Sequence, residues 1–340
     1  MDLWDDIIEP FKLVAEAREA AALFDAGESS LARYLPNVEV PDIHIEVVQG
    51  ESGLIEEAEF RAWEAEPEPA GQDEGGSFSI KMPALSQSRP ITEYAQLRNR
   101  NAGDGELEKM LIKNAKAAGR AIAARMERQR AISLATGKNT ITGRRYNSVD
   151  DYGRDPSHTT TATNLWTDPA VSRLDYLSLI TDKYADTNDG REAGRILVSS
   201  KVLRALASGK EFATVLANGA SRPAGLDEVL SILDGMGLPP IEVYNGKAGG
   251  RRFISEDTLL LLPEPGAPIA DEQTELGASF WGRTLTSMDE KYGIAEEEQP
   301  GIVVGAYRKP TIPHTAVIES DAIGLPVLSN ANLTLAAKVL

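Results

Sequence analysis

Apolar residues recur at every third or fourth position from residue 105 to 135, with Ala, Lys and Arg between them. This spacing places the apolar side chains along one face of an amphipathic helix. Such a helix is roughly 45 Å long, which exceeds the length of a typical globular helix. Gly137 follows at the position where glycine commonly ends a helix. The pattern predicts one long helix, whose apolar positions are Leu107, Leu111, Ala115, Ala118, Ile122, Met126 and Ile132.

A long β-hairpin is predicted ahead of this helix. Residues 77–82 (SFSIKM) alternate strictly between polar and apolar side chains, and residues 57–64 (EAEFRAWE) have a strand-like pattern. Between them lies an acidic segment rich in Pro and Gly, which favours turns. Two strands alone are marginally stable in water, so the apolar face of the hairpin needs a cover. The cover is either the rest of its own domain or a neighbouring subunit.

The remaining pattern predicts shorter elements. A helix with Pro10 near its start covers residues 6–24, and two prolines favour an extended segment at 34–41. Beyond residue 174 helices and strands alternate, which predicts an α/β region. Its helices are 175–185 and 226–233, its strands are 195–199 and 241–244, and a buried apolar run covers 258–262. Near the end, strands at 301–307 and 333–339 lie around the proline-containing segments 309–313 and 324–326.

Charge is distributed unevenly along the 340 residues. The net charge is −17, but residues 1–104 contribute −14, residues 105–145 contribute +7, and the remainder contributes −10. The basic block that coincides with the long helix is either a solvated helix face or a surface that docks against an acidic segment. The acidic total argues against a surface that grips nucleic acid from outside, because phosphate binding requires clustered Lys and Arg.

Composition excludes several classes of protein. The chain has no cysteine, so neither disulfides nor thiolate metal sites are expected. The first nine residues are acidic, unlike a secretory signal, so export is not expected. No apolar run approaches the roughly 20 residues that span a bilayer, so no contact with membranes is expected.

No short motif indicates catalysis. His44, His158 and His314 lie far apart, and no two of them have the spacing of three or four positions that a helix-borne metal site requires. The Gly-Lys pair in residues 135–140 (ATGKNT) lacks the preceding glycine of a phosphate loop and follows a helix instead of starting one. We therefore predict no catalytic residue, no cofactor and no metal.

The order of elements resembles the major capsid proteins of tailed bacteriophages, which share the fold first known from phage Hong Kong 97. The likeness is narrower to the branch typified by the E protein of phage lambda. The segments that carry it are residues 241–246 (IEVYNG), 278–283 (ASFWGR) and 323–339 (IGLPVLSNANLTLAAKV).

The resemblance implies an α+β fold with an N-terminal arm, an extended β-hairpin loop, a long spine helix, a peripheral domain and an axial domain. It implies the arm at 1–43, the extended loop at 44–96, the peripheral domain at 97–173 and 301–340 with the spine helix at 105–135, and the axial domain at 174–300. Since the arm and loop fill the residues before the spine helix, a separate scaffold protein is expected.

The function implied is that of a major capsid protein, which self-assembles through hexamers and pentamers into an icosahedral head shell around double-stranded DNA. The expected partners are other copies of the chain, the scaffold and portal proteins, in some relatives a decoration protein, and packaged DNA contacted without sequence specificity. The expected location is the virion, with assembly in the host cytoplasm. Two alternatives stay open: an encapsulin-like nanocompartment shell, and a soluble α/β enzyme with its site in residues 174–300.

In this family the extended loop lies over the adjacent subunit. Apolar hairpin residues would then supply most of the contact, and acidic hairpin residues would lie near basic residues of a neighbour's spine helix. The apolar residues of this hypothesis are Phe60, Trp63, Phe78, Ile80 and Met82, the acidic ones are Glu64, Glu66 and Glu68, and the basic ones are Lys109, Lys113, Lys116 and Arg120.

Overall fold

The computed structural model describes residues 2–27, 30–48, 77–101, 104–143, 146–168, 170–215, 221–222, 224–266 and 274–340. The chain forms two compact units. The first contains Met1–Ile45, Ile80–Ala131 and Pro268–Val327, and the second contains Glu46–Ser79, Ile132–Ala267 and Leu328–Leu340. Residues 274–300 lie in the first unit and residues 174–266 in the second, and the bounds of the implied domains stay a prediction.

The described residues include six α-helices. They are α1 (Pro10–Asp25), α2 (Glu93–Asn101), α3 (Asp104–Thr136), α4 (Arg173–Thr187), α5 (Ser200–Ala207) and α6 (Leu226–Gly235). Short 3₁₀ helices cover Leu31–Arg33, Pro156–His158, Lys210–Phe212, Glu290–Tyr292, Glu296–Glu298 and Ala331–Leu333.

The strands before α4 are β1 (Asp2–Leu3), β2 (Asn37–Glu39), β3 (His44–Val48), β4 (Ser77–Lys81), β5 (Ala84–Ile91), β6 (Lys138–Thr142), β7 (Asn147–Asp151) and β8 (Thr159–Thr161). Those after α4 are β9 (Arg195–Val198), β10 (Thr214–Val215), β11 (Ser221–Arg222), β12 (Ile241–Val243), β13 (Lys247–Ala248), β14 (Arg251–Arg252), β15 (Thr258–Leu262), β16 (Gly277–Gly282), β17 (Val303–Arg308), β18 (Ala316–Leu328) and β19 (Leu335–Lys338).

The first unit is built on a six-stranded sheet of order β1-β17-β18-β16-β2, with β5 also paired to β18. The 13-residue strand β18 is its centre, since β17 pairs with it from Ala316 to Asp321 and β5 from Ala316 to Ile323. Helices α1 and α3 contribute apolar residues to one core with this sheet. That core includes Leu13 and Ala17 of α1, Leu111 and Met126 of α3, and Ile318 of β18.

The long helix α3 is confirmed, with 33 residues and a length of roughly 50 Å. Six of its seven predicted apolar positions are at most 3% exposed, and Ile132 is half-buried. Gly137 ends the helix as predicted: it has φ +66°, and its N–H donates to the carbonyl of Ser133 at 2.8 Å. The apolar period therefore determined this element in full.

The second unit contains a five-stranded sheet of order β12-β9-β15-β19-β8. The outer pairs β12–β9 and β19–β8 are parallel, and the inner pairs are antiparallel. The predicted run 258–262 is its central strand β15, in which Leu259 to Leu262 are fully buried. Apolar residues of α4, α5 and α6 share one core with this sheet, which confirms the predicted α/β region.

One prediction for a proline was wrong, because the segment 324–326 was expected to lie between strands and not within one. Strand β18 continues through Pro326, and its ladders with β17 and β5 end earlier, at Asp321 and Ile323. Strand β5 contains Pro90 and was not predicted at all. Since the described residues pair β5 with β18 alone, Pro90 lies in an edge strand, which tolerates proline.

A buried histidine in the second unit gives the chain a dependence on pH. His158 is 0% exposed, its Nδ1 lies 3.0 Å from the carbonyl oxygen of Thr334, and its ring stacks on Tyr184. Burial lowers the pKa of His158, and the positive charges of Arg154 and Lys183 act in the same direction. The hydrogen bond to Thr334 and the charge of Asp155 oppose this shift only in part.

We expect the second unit to lose stability as the pH falls below about 6.5, the ordinary pKa of histidine. In that range the unfolded chain binds a proton that the folded chain excludes, so protonation favours unfolding. The stabilisation that neutral His158 contributes is complete above the ordinary pKa of histidine. It is lost as the pH falls toward the lowered pKa of His158 in the folded chain. Urea unfolding at pH 7.5 and pH 5.5 measures how much stability is lost between the two pH values. This loss should be smaller for His158→Asn, which retains a donor near Thr334, than for the unaltered chain. Equal losses in both proteins would assign the effect to other groups.

Candidate assembly surfaces

The base of the predicted hairpin is present, but its strands differ from the prediction. Strand β4 confirms the alternating segment 77–82, and the structure pairs it with β3, which was not predicted as a strand. The strand predicted at 57–64 lies outside the described residues, as do Phe60, Trp63, Glu64, Glu66 and Glu68 and the side chain of Phe78.

Two of the predicted contact residues are covered within the chain itself. Ile80 and Met82 are each 4% exposed, and Ile45 of β3 is 7% exposed. The N–H of Met82 donates to the carbonyl of Ile43 at 2.9 Å. A Cβ on Gly282 would lie 2.9 Å from the terminal methyl of Met82, so this side chain fills space beside β16. Ile80 and Met82 therefore belong to the base of the hairpin and offer no free apolar surface to a neighbour.

The basic residues of α3 fall into two groups. Lys116 lies 2.7 Å from Glu16 and 3.5 Å from Glu19 of α1, and Lys109 lies 2.7 Å from Glu106. These carboxylates raise the pKa of both lysines, mainly through the side-chain hydrogen bonds to Glu106 and Glu16. Lys113 and Arg120 are exposed and have no ion pair within the described part of the chain.

Part of the basic helix thus docks against the acidic N-terminal segment of its own chain. The pair between Lys12 and Glu108, at 2.6 Å, adds to the same contact between α1 and α3. Exposed pairs of this kind contribute at most about 1 kcal/mol each. Of the four predicted basic residues, Lys113 and Arg120 are the ones that stay available to another subunit.

A buried polar cluster near the end of α3 was not predicted. Arg130 is fully buried and donates to Asp25 at 2.9 Å, Asn37 at 2.6 Å and Ser279 at 2.8 Å. Glu127 lies 3.3 Å from Arg130 and accepts the N–H of Leu31 at 2.9 Å. This cluster fixes the chain that follows α1 against α3 and β16. Charged residues on a helix read as exposed from sequence alone, so no local signal identified it.

Large apolar side chains remain exposed at several places in the first unit. Leu285 is 87% exposed and Ile312 is 84% exposed, both in loops next to sheet strands. Tyr94 and Leu97 of α2 are 75% and 55% exposed. Single exposed apolar residues are ordinary, so the exposure of these four side chains does not by itself identify a contact surface.

Among the described residues, no group of three or more His, Asp or Glu side chains is arranged to hold a metal ion. In the same residues, no helix combines the length and the apolar character needed to cross a membrane.

Comparison with protein families decides the affiliation. The family model described as phage major capsid protein E matches residues 32–271, which is more than two thirds of the chain. The chain belongs to the phage major capsid protein E family. The predicted resemblance to the E-type branch is confirmed, and the family is one of structural proteins. No curated protein matches the chain.

Solved structures share this capsid-family fold over nearly the whole chain. A candidate capsid protein of an E. coli CFT073 prophage aligns with a TM-score of 0.64 and 16% identity, over 98% of this chain and 99% of that one. A phage-related protein of Bordetella bronchiseptica RB50 aligns with a TM-score of 0.54 and 12% identity, over 95% of each chain. At these identities the comparison shows the fold alone, and the fold is the predicted one.

Proposed function

We propose that this capsid-family protein is the subunit of an icosahedral head shell, which forms from hexamers and pentamers and encloses double-stranded DNA. The observation that carries the proposal is the match of the phage major capsid protein E family over residues 32–271. The α+β fold, with its long helix α3 and the hairpin base β3–β4, supports it. The proposal assigns no enzymatic activity to the chain.

The regions of the subunit follow from the same proposal. Residues 1–43 serve as the arm, 44–96 as the extended loop, 97–173 and 301–340 as the peripheral domain, and 174–300 as the axial domain. The loop covers a neighbour through Phe60, Trp63 and Phe78, while Ile80 and Met82 hold its base within the chain. Glu64, Glu66 and Glu68 then pair with the exposed Lys113 and Arg120 of that neighbour.

The main partners that we propose are other copies of the chain. The further partners are a scaffold protein during assembly, a portal protein, a decoration protein on the outer face and packaged DNA. The assembled protein resides in the virion, and assembly takes place in the host cytoplasm.

Assembly tests the proposal directly. We expect electron microscopy and light scattering to show closed hollow shells, or rings of five and six subunits, when the chain is expressed alone or with its neighbouring phage genes. Purified particles should contain DNA after infection or induction. Particles filled with an enzyme would support the encapsulin alternative, and a uniform monomer at every salt concentration would contradict a shell.

The extended loop is tested by replacing its aromatic residues. Trp63→Asp combined with Phe78→Asp should leave soluble subunits that do not close into shells, because charges cannot occupy an apolar contact between subunits. Thr142→Asp combined with Ser208→Asp makes the same change in charge at exposed positions outside the loop and serves as the control. Normal shells from the loop variant would contradict the assignment of the loop.

A further inference from the structure

A short hairpin in the second unit gathers positive charge in a chain whose net charge is −17. Strands β13 and β14 pair with Lys247 opposite Arg252 and Ala248 opposite Arg251. The three basic side chains are exposed. We call residues 247–252 the basic hairpin. Its three positive charges lie on two adjacent cross-strand pairs. The charge is therefore concentrated in a small area and is not spread along a helix.

The ladder itself is electrostatically unfavourable. Residues directly opposite in an antiparallel pair have Cβ atoms about 4.5–5.5 Å apart, and like charges there destabilise the pair. Lys247 and Arg252 occupy such a position. An anion lying across this pair would remove the repulsion.

The base of the hairpin is fixed. Tyr244 and Phe253, on either side of it, are 4% and 9% exposed, and the N–H of Phe253 donates to the carbonyl of Gly246 at 3.0 Å. The guanidinium of Arg252 donates to Asn245 at 3.0 Å and lies 3.3 Å from Glu256. The basic side chains therefore extend from a hairpin whose base is held in place by packing and hydrogen bonds.

Two of the cations at this site have no counter-ion. Glu256 is shared between Arg252 and Lys201, whose Nζ lies 3.4 Å from it. Lys247 and Arg251 form no ion pair with any part of the chain that the structure describes. The site therefore carries an uncompensated positive charge that a ligand can neutralise.

The tip of the hairpin is open to a close approach. Gly249 and Gly250 both have positive φ, at 56° and 76°, as the two-residue turn of a hairpin requires. A Cβ built on either glycine would meet no atom within 4 Å. The space beside both glycines is therefore open to a ligand that contacts the flanking cations.

The surroundings favour a phosphate backbone over another protein. Stable protein interfaces have an apolar centre from which charged residues are depleted. Among the described residues from 237 to 284, no large apolar side chain is exposed. Clustered cations in a stretch of sequence without exposed apolar side chains match double-stranded DNA, which carries one negative charge per roughly 1.7 Å of its axis.

We propose that the basic hairpin binds the phosphate backbone of double-stranded DNA through Lys247 and Arg251, without sequence preference. The inference deepens the proposed function and rests on it, since DNA is the content of the shell. The acidic remainder of the chain limits binding to this small site, so the contact is weak for one subunit and repeated over many.

The test measures DNA binding and assembly separately. Binding of the full-length chain to a 20-base-pair duplex is followed by fluorescence anisotropy between 50 and 200 mM salt. We expect Lys247→Gln combined with Arg251→Gln to weaken binding roughly ten- to fifty-fold and to reduce the salt slope by about two, because each lost phosphate contact removes about one released counter-ion. Both positions are exposed, and an unchanged melting temperature verifies the fold.

The control is Lys210→Gln combined with Lys291→Gln, which removes two exposed lysines elsewhere and should change binding less than twofold. Two results would overturn the inference: no binding by the unaltered chain at 50 mM salt, or equal weakening in both double variants. Unchanged DNA binding with a failure of the hairpin variant to form shells would also overturn it and would assign the hairpin to a contact between copies. Failure of the proposed function is seen independently, as the absence of shells from the unaltered chain.

Discussion

Replacement of Arg130 by Met is expected to lower the free energy of unfolding by about 3–5 kcal/mol, the usual cost of removing one partner from a buried charged cluster. The side chain of Arg130 is 0% exposed, and those of Asp25 and Glu127 are 11% and 3% exposed. Without the guanidinium, the carboxylates of Asp25 and Glu127 each lose a charged hydrogen-bond partner in the interior, and Asn37 and Ser279 each lose a donor. Urea unfolding followed by tryptophan fluorescence measures the loss, since Trp281 donates to Asn37 at 2.9 Å.

Two further variants separate charge from packing at this site. Arg120→Met removes an exposed arginine from the same helix and should change stability by less than about 0.5 kcal/mol. The triple variant Asp25→Asn, Glu127→Gln, Arg130→Met removes all three charges and should recover a large part of the loss. A loss below about 1 kcal/mol for Arg130→Met would show that water reaches the cluster and that it does not fix the N-terminal segment.

Gly119→Ala is expected to destabilise the first unit by about 1–3 kcal/mol, although alanine is the better helix former. A Cβ on Gly119 would lie 2.2 Å from the carbonyl oxygen and 2.9 Å from the carbonyl carbon of Ala17. These are backbone atoms of α1, so no side chain can rotate away. The helices would have to separate, and the core that they share with the sheet would lose contacts.

The matched control lies on the same helix. Gly105→Ala meets no atom within 4 Å and should keep the stability or raise it by up to about 1 kcal/mol. Thermal and urea unfolding of the two variants should be measured side by side. Because both gain the same helix propensity, the difference in their stability reports the close approach of Gly119 to Ala17. Equal stability of the two variants would contradict the tight packing of α1 on α3.

Local patterns predicted the elements whose side chains follow a single period. The three-to-four spacing predicted α3 and its C-cap, strict alternation predicted β4, and the apolar run 258–262 predicted a buried strand. Helices α4 and α6 followed from the same reasoning. In each case buried apolar residues recur every few positions along the chain. The residues near each position are therefore enough to predict the helix or strand.

The resemblance supplied the family, because order and length of elements persist where identity is low. The structure with the TM-score of 0.64 is only 16% identical to this chain. The predicted contact residues are a different matter. The alternation of Ile80 and Met82 stated that their face is covered and did not state by what, and only the family resemblance pointed to a neighbouring subunit.

The sequence by itself thus determined helices α1, α3, α4 and α6, the alternating strand β4, the buried strand β15 and the family of the chain, whereas helices α2 and α5 were not predicted. Only the tertiary structure showed that β3 pairs with β4 and that the backbone of Ala17 packs closely against Gly119. It alone also showed that Arg130 bonds to Asp25 and Ser279, which lie 105 and 149 positions away in the chain. The reason is physical. A helix or strand is fixed by neighbours within a few residues, whereas pairing partners and buried charges depend on which distant segments the chain brings together.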